Sequence, residues 1–98
     1  MTVAERSTEA FVERAFADLA GSYGGVMVST GHKLGLYRAL AGQGPLTSLE
    51  LAARTGYEER YLREWLNSQV AGGYLVHHDE SETYELPAEH LPVLVDED

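Results

Sequence analysis

Ninety-eight residues with seven Lys or Arg against sixteen Asp or Glu carry a formal charge of −9, and a chain this short has room for one small core, not two. The lack of Cys excludes a disulfide framework and a thiolate zinc site and fits a reducing, cytoplasmic setting. No apolar run approaches the roughly 18 residues that cross a bilayer, and the mixed, charged start from Met1 to Arg14 does not resemble a secretory leader, so neither membrane insertion nor secretion is expected.

Thr2 and Glu5 form a weak capping box. Val12, Phe16, Leu19 and Tyr23 then recur at spacings of three and four, the period of an amphipathic helix. The stripe continues through Val26, Thr30, Leu34 and Tyr37. Gly21, Gly24, Gly25, Gly31 and Gly35 interrupt it, each at a cost of about 1 kcal/mol relative to Ala in a helix. Five glycines in fifteen residues imply helix breaks or unusually close backbone approach, and two or three helical pieces are expected. Phe11, Val12, Phe16, Leu19, Tyr23, Val26 and Met27 offer more apolar face than a small core readily covers. Either this helix folds back on its own domain or a second copy covers it, with Gly21, Gly24 and Gly25 permitting close approach.

Gly42-Gln43-Gly44-Pro45 is a turn cluster. Thr47-Ser48-Leu49-Glu50 then reads as a capping box opening a helix from Leu49 to Thr55, which Gly56 ends. A second helix, about Glu58 to Ala71, carries Tyr61, Leu62, Trp65, Leu66 and Val70 on one broad face and stops at Gly72-Gly73. Two helices joined by a short glycine turn make a helix-turn-helix. Tyr74 to His78 reads as a strand, Asp79 to Glu82 as a polar turn and Thr83 to Leu86 as the returning strand. Such a hairpin directly after a helix-turn-helix is a wing. Pro87 ends the pairing, one more short turn is expected within Ala88 to Val95, and Asp96-Glu97-Asp98 is an acidic tail. The expected fold is mainly α: a winged helix-turn-helix with an N-terminal helical extension and a two-stranded β-wing. Residues 1–43 form the helical, dimerising segment, and residues 44–95 form the winged unit packed with it as one domain.

Three segments, GHKLGLYRAL at 31–40, LTSLELAARTG at 46–56 and ERYLREWLNSQVAGGYL at 59–75, resemble the N-terminal winged-helix domain of class I S-adenosylmethionine-dependent methyltransferases. The segment YELPAEHLPVL at 84–94 resembles the stretch that leads into their catalytic domain. The resemblance implies an accessory role: homodimerisation and cover for the substrate side of an active site whose catalytic domain, the expected partner, binds S-adenosylmethionine. No catalytic, cofactor-binding or metal residue is expected in this chain. Gly21-Ser22-Tyr23-Gly24-Gly25 is the one glycine-rich candidate for the cofactor, and it follows a helical pattern, not the strand that a dinucleotide-type turn needs. The chain is then either a domain of a larger enzyme or a free-standing relative without the catalytic half.

The competing class is a DNA-binding regulator. Helix-turn-helix readers lay their second helix in the major groove, where Arg60, Arg63, Asn67 and Gln69 are the candidate contacts. Charge opposes it: Glu58 and Glu59 stand at the entry of that helix, and residues 77–98 hold eight acids and no Lys or Arg, whereas phosphate binding needs clustered cations. DNA is therefore not the expected partner. The paired acids are explained by the helix dipole, and an Arg60–Glu64 pair is expected on the exposed face. Among the histidines, His77 and His78 should point to opposite faces of a strand, so no metal site is read from them. His32 beside Lys33 could line a pocket.

Overall fold

The computed structural model describes residues 3–95; the Thr2 cap and the tail at 96–98 lie outside the described residues. Helix α1 runs Val3–Leu34, α2 Leu36–Leu40, α3 Ser48–Thr55 and α4 Glu59–Ala71, followed by strands β1 (Val76–His78) and β2 (Thr83–Glu85), a 3-10 turn at Ala88–His90 and the short helix α5, Leu91–Leu94.

Local sequence rules account for most boundaries. Thr47 accepts a bond from the Glu50 amide at 3.0 Å, and the Glu50 carboxylate accepts one from the Thr47 amide at 2.8 Å, so the capping box opens α3 as its residues require. Gly56 closes the helix in the left-handed region at φ 81°, a conformation open to glycine at no steric cost. Strands β1 and β2 pair antiparallel with His77 opposite Tyr84. The two histidines part as strand alternation demands: His77 stacks on Tyr84 and meets Asp79, while His78 meets Glu85 at 2.9 Å. A feature that sequence did not suggest is a third edge. Leu46 exchanges both backbone bonds with Tyr84, at 2.8 and 2.7 Å, and ties the entry to α3 to the wing.

The glycine-rich stretch forms two helical pieces, within the two or three expected. Among Gly21, Gly24, Gly25, Gly31 and Gly35 only the last breaks the helix, at φ 73°, so the two pieces are one 32-residue helix and one short one. Gly31 stays helical because two rings press against it: a Cβ there would lie 2.5 Å from Trp65 Cζ2 and 2.7 Å from Tyr37 Cε2. Gly21 has no such reason, since a Cβ would meet nothing within 4 Å. Gly21→Ala is expected to raise stability by up to about 1 kcal/mol through helix propensity alone, visible as a higher urea midpoint; a loss instead would mean that the helix bends at that point.

The core lies where α2, α3, α4 and the wing converge. Leu36, Tyr37 and Leu40 of α2 meet Leu51 of α3, Leu62, Trp65 and Leu66 of α4, and Leu75, Tyr84, Leu86 and Leu94. Among the described residues, helix α1 joins through its C-terminal part, where Met27 and Val28 pack against this cluster. At 1.5 Å per residue α1 is about 48 Å long, which explains the elongated shape of 55 × 35 × 24 Å.

Candidate functional site

Because α1 docks, among the described residues, by its C-terminal end, its stripe is left uncovered. Phe11, Phe16 and Leu19 are each about two-thirds exposed (69, 68 and 67%), and Val12, Tyr23 and Val26 are also exposed. Of the seven residues expected at an interface, Met27 alone is half-buried against the protein's own core. Toward its C-terminal end the stripe runs into a groove of about 540 Å³ between α1 and the start of α4. Tyr23, Met27 and Leu34 form one wall, Tyr57, Tyr61 and Trp65 the other, with Glu58 and Glu64 among the lining residues.

Two hydrogen bonds fix the groove's inner wall. Trp65 Nε1 donates to the Met27 carbonyl at 2.8 Å, and the Tyr37 hydroxyl donates to Gln69 Oε1 within the core. The Tyr37 and Trp65 rings meet edge to face at 5.1 Å. Burial, reinforced by Tyr74, pushes the Tyr37 phenol from 10.0 up to about 12. The folded chain therefore holds this proton more tightly than the unfolded chain, so the stability it contributes is complete below pH 10 and is lost as pH rises through about 12. The Tyr84 phenol shifts the same way, chiefly through burial and then Glu82. The urea midpoint is expected to fall across that alkaline window, less steeply in Tyr37→Phe. A midpoint with the same pH profile in both proteins would contradict this.

The face that a DNA reader would use is occupied by its own carboxylates. Arg60 stands 3.7 Å from Glu64, as the spacing predicts, and Arg63 3.4 Å from Glu59. Glu59 also accepts a bond from Ser48, which ties α3 to α4. Asn67 accepts a bond from the Tyr84 hydroxyl at 2.7 Å. Gln69 corrects the sequence reading: it is 3% exposed and serves Tyr37, so it cannot reach a base. The helical period could have shown this, because Gln69 follows Leu62, Trp65 and Leu66 on the buried face.

The remaining candidates are dispersed. His32 lines a small cleft of about 340 Å³ with Lys33, Arg38 and Leu94 and stacks edgewise on Tyr37. His90 bonds the Tyr74 carbonyl at 2.9 Å. Among the described residues no three His, Asp or Glu are grouped to hold a metal, and no helix is long and apolar enough to cross a membrane. Gly21-Ser22-Tyr23-Gly24-Gly25 lies inside α1, where its backbone amides serve the helix. These residues do not fit S-adenosylmethionine.

Residues 22–95 match the family model of the Rv2258c-like winged HTH domain. A solved structure of PigF with SAH is similar at a TM-score of 0.77 and 24% identity, over 88% of this chain and 28% of that chain, a likeness of fold. The structure of N,N-8-amino-8-demethyl-D-riboflavin dimethyltransferase (RosA) from Streptomyces davawensis is similar at a TM-score of 0.58 and 29% identity, over 93% of this chain and 24% of that chain. The chain thus spans about a quarter of the length of these two proteins. No curated protein matches it. The winged-helix resemblance read above from three segments holds: the family model is of a winged HTH domain, and the fold is that found in these two solved structures. With most of its length matched by that model, the protein belongs to the Rv2258c-like winged helix-turn-helix family.

Proposed function

We propose that this chain is the non-catalytic N-terminal domain of an S-adenosylmethionine-dependent methyltransferase acting on a small molecule, where it holds two copies together and covers the substrate side of a catalytic domain. The observation that carries this reading is the apolar stripe of α1, uncovered from Phe11 to Val26 and continuous with an aromatic groove. The two solved neighbours, one with SAH and one a dimethyltransferase of a riboflavin derivative, support the enzymatic setting. In this reading, methyl transfer belongs to the partner domain and this chain supplies apolar walls. Sedimentation equilibrium at micromolar concentration, paired with calorimetry against S-adenosylmethionine, tests it. Self-association without cofactor binding is expected; a monomer throughout, or micromolar affinity for the cofactor, contradicts it.

The winged helix-turn-helix itself favours a second reading, a DNA-binding regulator. Its cations are already faced by carboxylates, and the wing adds Asp79, Glu80, Glu82 and Glu85. No mobility shift with random or genomic duplexes at low salt is expected. A shift that weakens with salt and with Arg60 and Arg63 replaced would establish the regulator instead.

A further inference from the structure

We propose that the N-terminal half of α1 pairs antiparallel with the same segment of a second copy, about a two-fold axis level with Gly21, so that Val12 and Phe16 of each copy close the groove of the other. This rests on the dimerisation reading above and specifies its geometry.

Three observations converge on it. The stripe at 12, 16, 19, 23, 26 and 30 alternates strides of four and three, the 3.5-residue period that keeps one seam facing a partner helix along its length. Thr30 fits the seam because its hydroxyl is returned to the Val26 carbonyl at 3.0 Å, leaving the methyl group to pack. The exposed side chains of this stripe amount to on the order of 500 Å² per copy, or about 1,000 Å² across a two-fold, the threshold of a specific interface. Groove contacts carry the pairing above that threshold.

Direction follows from the groove and the charge. In antiparallel register Leu19 faces Tyr23 of the second copy, Phe16 faces Val26 and Val12 faces Thr30. Phe16 and Val12 then arrive where Tyr57, Tyr61 and Trp65 wall the groove. A parallel pair would set Phe16 on Phe16, leave both grooves open and crowd two anionic winged heads at one end. Antiparallel pairing separates those heads. It also lays the half of α1 in which Glu5, Glu9, Glu13 and Asp18 outnumber Arg6 and Arg14 along the half that ends in His32 and Lys33, opposing the two helix dipoles favourably.

The chain has no cysteine, so single introduced thiols report direction without interference. Ala15, Ser22 and Ser29 recur every seven residues along one edge of the seam; Ala15 and Ser29 of opposite copies meet only in the antiparallel pair, whereas Ser22 meets Ser22 beside the axis. Disulfides need Cα atoms within about 7 Å. Under mild oxidation Ser22→Cys is expected to gain a cross-linked dimer that disappears in urea. A mixture of Ala15→Cys and Ser29→Cys is expected to gain a heterodimer that neither forms with itself, with helicity by circular dichroism unchanged. Self-cross-linking of both Ala15→Cys and Ser29→Cys would overturn the direction and leave the dimer standing. A monomer in sedimentation overturns both, and a sedimenting dimer without any of these cross-links overturns the stripe as its seam.

Discussion

Gly31→Ala is expected to destabilise the protein by about 2 kcal/mol, even though alanine is the better helix former by roughly 1 kcal/mol. The added methyl would sit 2.5 Å from Trp65 and 2.7 Å from Tyr37. Neither ring can step aside cheaply. Trp65 is held by its bond to the Met27 carbonyl, Tyr37 by its bond to Gln69, and both are nearly fully buried. The helix must therefore lift off the core or the core must expand. Thermal melts at one fixed protein concentration check it, with a fall on the order of 10 °C for a domain of this size. Gly21→Ala, on the same helix with open space around it, is the internal control with the opposite sign. Equal gains from both substitutions would mean that α1 does not dock through Gly31.

Phe16→Asp is expected to abolish self-association while leaving the fold intact. The side chain is 68% exposed and lies outside the core cluster and the hydrophobics packed on it, so the folded monomer loses little. In a two-fold pair each interface contains the residue twice, and burial of two phenyl groups is replaced by two carboxylates to desolvate. On the order of a 100-fold or greater rise in the dimer dissociation constant follows. Sedimentation equilibrium reads the constant, and circular dichroism reads the fold. A variant that still associates with the parental constant would place the interface elsewhere, and one that loses its helicity would show that the stripe is needed within the monomer.

These two substitutions mark where reading the sequence works and where it stops. The capping box at Thr47, the glycine stop at Gly56, the face of α4 and the hairpin between His78 and Thr83 all follow from interactions within a few residues, which is why they can be read in a line of text. The apolar surplus of α1 was likewise legible, because a stripe is a matter of period. The course of α1 through its glycines was legible only as a choice between helix breaks and close backbone approach, without saying which glycine does which. Helix propensity counts against Gly31 and says nothing of the two rings that need the space. Gln69 departs from its reading as a base contact for the same reason: its amide belongs to a phenol 32 positions away.

By itself, then, the sequence determined the order and nature of the elements, the anionic surface and the presence of an unmatched apolar face, since each depends on residue type and local spacing. Tertiary structure alone decided that α1 docks by its C-terminal end, that Leu46 joins the wing through Tyr84, and that Gln69 turns inward to serve Tyr37. These depend on which distant groups compete for the same space or the same hydrogen bond, and that competition is settled only when the chain has closed on itself.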